Sequence, residues 1–224
     1  PAVRSEIRRH LLHHRLAVGR PLDRHDARSQ HVVEQQVPGH LGRAAGAQHE
    51  DAPEPGLSAN IIGTANVALA CHKLGARLVY TSTDYLYVGP GPHKEDEAVF
   101  APYKFGWSKL GGETAIRLLR DFLILRLSFG PRPFPWDKVY AGQYNSKLYV
   151  DEIAPLVLQA AKSKAVGVMN IGGPRTTLED YARRTKPDIQ TIRKPEWVPA
   201  DTSLDITRMK QVLDIKNENK LLKH

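Results

Sequence analysis

Apolar residues in this chain gather in short runs that stop abruptly at polar clusters. Leu78-Val79-Tyr80 gives way to Thr81-Ser82-Thr83-Asp84, and Phe122 to Leu127 gives way to Ser128. A buried parallel strand has this pattern when its C-terminal end opens into a site, so strands are expected over 77–81 and 122–128. Gly167-Val168-Met169-Asn170-Ile171-Gly172-Gly173 predicts a third strand leading into a turn. Helical spacing appears between the strands. A helix over 60–70, with Ile62, Val67 and Ala70 on its apolar face, should stop at Gly75. The loop Gly89-Pro90-Gly91-Pro92 and then Pro102 precede a second helix carrying Ser108, Lys109 and Glu113. A third helix is expected to start at Val150-Asp151-Glu152, with Asp151 as its N-cap. Thr176 to Glu179 has the spacing of a capping box. A helix over 206–213 follows, and the polar residues after Asn217 are expected to fray.

Residues 1–57 have a different character. They hold seven of the ten histidines and none of the lysines or aromatic residues of the chain. Such a segment is poorly provisioned for a core. Only 7–16 suggests a helix, short and basic, with Leu11, Leu12 and Leu16 on one side. The histidines match no common zinc spacing and have no cysteines beside them, so no metal site is expected.

Composition narrows the function classes. With 224 residues the chain can bury one good core, or one core and a small lobe. No run approaches the roughly 18 apolar residues that cross a bilayer, and the N-terminus lacks the apolar stretch of a secretory signal. The single cysteine, Cys71, is expected on a buried helix face; a cytoplasmic compartment and no membrane partner are expected. The net charge is +8. The lysines are scattered without interleaved aromatics, which favours a solvated surface or attraction for an anionic nucleotide over nucleic acid.

The motifs have one consistent resemblance. Ser82-Thr83-Asp84 at a strand end, Phe105-Gly106-Trp107-Ser108-Lys109-Leu110-Gly111-Gly112-Glu113, and Val198-Pro199-Ala200-Asp201-Thr202-Ser203-Leu204-Asp205 resemble the extended short-chain dehydrogenase/reductase family. The likeness is greatest to its dTDP-4-dehydrorhamnose reductase branch of sugar-nucleotide reductases. It implies an α/β fold: a Rossmann-like parallel sheet, incomplete at the N-terminus, with a smaller C-terminal substrate lobe. The expected division is 1–57 outside the family pattern, 58–128 partial NAD(P)-binding domain, and 129–224 mainly substrate lobe. The family's glycine fingerprint before the first helix is absent, so 1–57 is read as a frame-displaced translation, a gene-model error or an unrelated replacement.

The resemblance also implies a chemistry, that of dTDP-rhamnose biosynthesis. A nucleotide-linked 4-keto-sugar would be reduced with NADPH or NADH as cofactor. Thr83 would bind the carbonyl oxygen, Lys109 would hold the nicotinamide ribose, and Ser82 would lie on the cofactor side. Asp84 and Tyr85 would line the sugar pocket. From the residues alone, Thr83 and Asp84 serve equally well as caps of the loop after the strand. Arg132 could pair with a diphosphate and Trp136 could stack on a base or sugar, although both residue types also suit plain surface packing. Val198 stands where the family has arginine, and Phe105 stands where it has the proton-donating tyrosine. Tyrosine and lysine at i, i+4 share one helix face, and the lysine lowers the phenol pKa. Phe105 cannot perform that step. Tyr85 or Tyr87 after the strand are alternatives, as is Tyr103 if the chain before Phe105 is not helical. The competing expectation is a sugar-nucleotide-binding or regulatory protein without turnover.

Overall fold

The computed structural model describes residues 52–222. The expectations for the basic helix, the histidines and most of the atypical segment fall outside these residues.

Helical turns spanning Gly56–Gly63 run without a break into α1, Thr64–Leu74. Gly75 ends the helix in the left-handed conformation at φ 64°, as the sequence indicated. The buried face bears out the expectation for Cys71, and Val67 packs against the core, but the stripe is centred elsewhere than expected. It carries Asn60, Thr64, Ala68 and Cys71, while Ile62 lies 58% exposed. Small and polar side chains take the buried stripe because a second helix packs closely against this one.

Strand β1, Leu78–Thr83, extends two residues beyond the expected end and so includes Ser82 and Thr83. A 3-10 turn, Asp84–Leu86, follows, and a long loop leads to α2, Lys104–Ile116. Next come β2, Phe122–Leu127, and the short β3, Phe129–Gly130. The lobe contains β4, Lys138–Tyr140, then β5, Tyr144–Asn145, and β6, Leu148–Tyr149, which leads straight into α3, Val150–Lys162. Strand β7, Gly167–Ile171, returns to the main sheet. The remaining elements are β8, Thr176–Thr177, α4, Leu178–Arg183, β9, Gln190–Ile192, and α5, Thr207–Val212.

The main sheet is parallel, in the order β1-β2-β7, with Tyr80 opposite Ile124 and Ile124 opposite Val168. Alternation along each strand separates two cores. Leu78, Tyr80, Ile124 and Val168 face α1 and α2, with Ala68, Cys71 and Ile116. Val79, Leu123, Leu125, Leu127, Met169 and Ile171 face α3, with Ile153, Leu156 and Ala160. This is the helix–sheet–helix layering that near-continuous apolar strands require. Each fully buried leucine or isoleucine contributes about 1.5–3 kcal/mol. The lobe has its own cluster, in which Phe134, Val139, Tyr149 and Tyr181 pack together.

Two caps differ from expectation. Tyr149 is the N-cap of α3, with the Glu152 carboxylate accepting from its backbone N–H at 2.8 Å; Asp151 lies inside the first turn. The box at α4 starts one residue later than predicted, where Thr177 Oγ1 accepts from the Asp180 N–H at 3.0 Å. The end of the described chain is held in place, since Lys210 pairs with Glu218 at 2.7 Å and Leu221 and Leu222 pack on the main core.

Candidate functional site

Helix α2 lies against β1 and the 3-10 turn after it. A Cβ at Gly112 would come within 2.4 Å of the Tyr80 hydroxyl and 2.7 Å of the Asn60 carbonyl, so that position accepts nothing larger than glycine. This close approach brings Lys109 over the sheet. Its Nζ lies 4.4 Å from the centroid of the Tyr80 ring, and the residue is only 8% exposed. No carboxylate or carbonyl among the described residues accepts from it. Burial pushes the ammonium down to about 8, with Glu113, one turn further on, pulling it back up.

Ser82 is on the same face of β1 as Tyr80, and its buried Oγ has no hydrogen-bond partner. On α2 itself, Ser108 donates to the Phe105 carbonyl at 2.7 Å and accepts from the Asn60 side-chain amide at 2.9 Å. The Asn60 side-chain oxygen Oδ1, also buried, is left without a partner. The face between β1, the helical turns before α1, and α2 therefore presents an ammonium, a hydroxyl and an amide oxygen whose hydrogen-bonding capacity is unused. Nothing in the sequence pattern singled out Asn60, whose role depends on Ser108, 48 residues away.

At the strand end, Thr83 Oγ1 accepts from the Tyr85 N–H at 3.2 Å and donates to Asp84 over a long 3.3 Å. The hydroxyl proton is weakly held and free to turn to another acceptor. Asp84, expected at the pocket wall, is 2% exposed. Its second oxygen accepts from Ser128 at 2.7 Å and from Thr202 at 3.4 Å, which ties β1 to the end of β2 and to the C-terminal segment. Tyr85 is half-buried in the turn, and the Lys147 ammonium lies 5.5 Å from its ring centroid. Burial opposes the Lys147 charge, but Tyr85 and Asp84 outweigh it and raise the pKa. Lys147 has no sequence motif to announce it.

The proton donors can be sorted by position. Phe105 and Lys109 share α2 at i, i+4, so Phe105 occupies the place of the family's phenol. Tyr87 is fully buried; its hydroxyl donates to Asn170 at 2.9 Å and accepts from Arg126 at 2.8 Å. That engagement removes it from consideration. Tyr103 is the N-cap of α2 in extended conformation, φ −131°, which meets the condition of a non-helical chain before Phe105. Its hydroxyl, however, reaches the Trp197 carbonyl at 3.5 Å.

Arg132 and Trp136 make contacts within the lobe. Arg132 pairs with Asp151 at 3.0 Å and Glu152 at 2.9 Å, and its guanidinium stacks 4.2 Å from the Tyr149 centroid. Trp136 packs at 5.0 Å against Phe134 in the lobe core. Among the described residues there is no cluster of three or more His, Cys, Asp or Glu that could hold a metal, and no helix is long and apolar enough to cross a membrane.

The geometry has counterparts. Residues 43–130 match the RmlD substrate binding domain family. The chain is 40% identical over 73 residues to the spore coat polysaccharide biosynthesis protein SpsK of Bacillus subtilis, covering 31% of this chain and 26% of that protein. It is 29% identical over 134 residues to a dTDP-4-dehydrorhamnose reductase of Mycolicibacterium smegmatis, covering 57% of this chain and 37% of the relative. The chain thus spans well under half the length of these curated relatives. The crystal structure of a dTDP-4-dehydrorhamnose reductase from Bacillus anthracis in complex with NADP superposes with a TM-score of 0.64 at 21% identity, covering 73% of this chain and 69% of that one. That likeness confirms a Rossmann-like fold. The matched segment carries both Thr83 and Lys109, and these likenesses support the resemblance to the extended short-chain dehydrogenase/reductases of the dTDP-4-dehydrorhamnose reductase-like branch.

Proposed function

We propose that this protein binds a nucleotide-linked 4-keto-sugar beside NADPH or NADH and reduces it slowly, because the family's proton donor is missing. One observation carries the reading: a buried, unpaired Lys109 and an unpartnered Ser82 hydroxyl share a face of β1, the strand that ends at Thr83. A nicotinamide ribose offers the hydroxyls that these groups lack. Lys109, Ser82 and the Asn60 amide would hold it, residues 58–128 contributing the cofactor side and 129–224 the sugar side. The cofactor supplies a hydride. Thr83 turns its hydroxyl from Asp84 to the carbonyl oxygen and steadies the negative charge that develops there. Asp84 keeps the strand end, β2 and the C-terminal segment in register around that oxygen. The curated and structural relatives support this substrate class by their names, and the lone buried cysteine suits a cytoplasmic setting.

The step without an owner is proton delivery. Loss of a positioned general acid lowers turnover by roughly 10²- to 10⁴-fold. Phe105→Tyr restores a phenol one turn from Lys109. We expect its kcat for a nucleotide-linked 4-keto-sugar with NADPH to rise by about that factor over the unsubstituted chain, with KM little changed. A second reading, a sugar-nucleotide-binding protein without turnover, is favoured by Phe105 itself. It takes over if Phe105→Tyr binds sugar nucleotide in calorimetry yet oxidises no NADPH. Failure of both forms to bind any nucleotide would overturn both readings.

A further inference from the structure

A chain of aromatic rings leads away from Tyr85. Its ring meets Tyr103 edge-on, with centroids 6.0 Å apart at 87°, and Tyr103 meets Trp197 with the same separation and angle. The three residues come from the 3-10 turn after β1, the N-cap of α2 and the loop after β9. Trp197 is 61% exposed. Its loop is nevertheless well fixed. Lys194 Nζ donates to the carbonyls of Pro195 at 3.2 Å and Val198 at 2.6 Å, and Val198 is buried. The Tyr103 hydroxyl reaches the Trp197 carbonyl from the other side. A large ring held in place while much of its surface meets solvent forgoes burial worth having. An edge-on contact also covers at most one face of the indole, leaving the other open for stacking.

We propose that Trp197, braced by Tyr103, is the platform on which the nucleobase of the sugar nucleotide stacks. The diphosphate and sugar then run past Tyr103 and Tyr85 towards Thr83, where Lys147 contributes a positive charge. This rests on the sugar-nucleotide reading above and deepens it. It also moves the stacking role away from Trp136, which is packed against Phe134 within the lobe.

The three tryptophans, Trp107, Trp136 and Trp197, make the test direct. The full chain and the variants W107F, W136F and W197A are titrated with dTDP and with UDP, following indole fluorescence and calorimetry in parallel. Far-ultraviolet circular dichroism confirms that each variant folds. Quenching is expected in the full chain, W107F and W136F but not in W197A, whose Kd should rise about 5- to 150-fold, the usual effect of removing one base–aromatic stack. Binding to W197A with unchanged Kd overturns the platform and leaves the sugar-nucleotide reading intact. Quenching that disappears in W136F instead overturns it in favour of the lobe tryptophan. Absence of calorimetric binding to the full chain removes the reading on which the inference rests.

Discussion

A buried ammonium lying on an aromatic face with no carboxylate partner is an unfavourable thing to fold, and Lys109 is such a group. Desolvation moves it from the ordinary lysine value of 10.5 to about 8. The unfolded chain therefore holds more protons than the folded one between these values, and the contribution of Lys109 to stability rises with pH across that window. Below it, the full penalty is present. Lys109→Met keeps the aliphatic stem and removes the charge. At pH 7 it should be more stable than the unsubstituted protein by about 2–3 kcal/mol, and the advantage should shrink to under about 1 kcal/mol near pH 10. Urea unfolding at the two pH values measures this. An advantage independent of pH would show that Lys109 is not the titrating group. On the proposed reading the same substitution should abolish cofactor binding, which would make the lysine a case of stability given up for function.

At the scale of the element, α2 is placed by what it lacks. A methyl at Gly112 would meet the Tyr80 hydroxyl and the Asn60 carbonyl within 2.7 Å, so the helix would have to back away from β1. Gly112→Ala should destabilise the protein by about 1–3 kcal/mol by overpacking. Because the displacement also lifts Lys109 from Tyr80, it should weaken NADPH binding more than a surface substitution of equal stability effect. The other fastening of α2 is electrostatic. Glu113, fully buried, receives two hydrogen bonds from Arg126, at 3.0 and 2.9 Å. Arg126 in turn donates to Tyr87, which donates to Asn170 on β7. Removing one partner leaves a buried charge alone, so Glu113→Ala should lose about 3–5 kcal/mol, whereas the double variant E113L/R126M should recover most of it. Denaturant midpoints of the two variants and the unsubstituted protein decide the point; equal losses in the single and double variants would contradict it.

In the molecule as a whole, the C-terminal segment closes the structure. Its backbone joins the loop after β1 through His93 N–H to the Ser203 carbonyl and Asp205 N–H to the His93 carbonyl, both at 2.8 Å. It joins β5 through Tyr144 N–H to the Ala200 carbonyl, also at 2.8 Å. Thr202 reaches Asp84 beside the site, while Leu204, Ile206 and Met209 enter the main core. Sheet, lobe and tail should therefore unfold together. Leu204→Ala is expected to cost about 2–5 kcal/mol and to keep one transition, seen identically by circular dichroism and tryptophan fluorescence. Separate transitions would mean that the lobe folds independently of the sheet.

What could be read from the sequence was local. Runs such as Leu78 to Tyr80 and Phe122 to Leu127 identify buried strands, because a parallel strand covered on both faces must be apolar at every position. Gly75 marks a helix end because its left-handed conformation suits glycine. The i, i+4 spacing of Phe105 and Lys109 determines that they share a helix face, and the family resemblance marks Phe105 as standing where a tyrosine is expected. Tertiary structure decided everything that depends on partners distant in the chain. It buried Asn60 and Thr64 rather than Ile62, because α2 presses on that side. It turned Asp84 into a tie between β2 and the tail and committed Arg132 to Asp151 and Glu152. It also brought Lys147 to Tyr85 and set Trp197 against Tyr103. Periodicity records which side of an element is apolar, but it holds no record of which other element will lie there, and that pairing fixes whether a polar side chain becomes a fastening or a site.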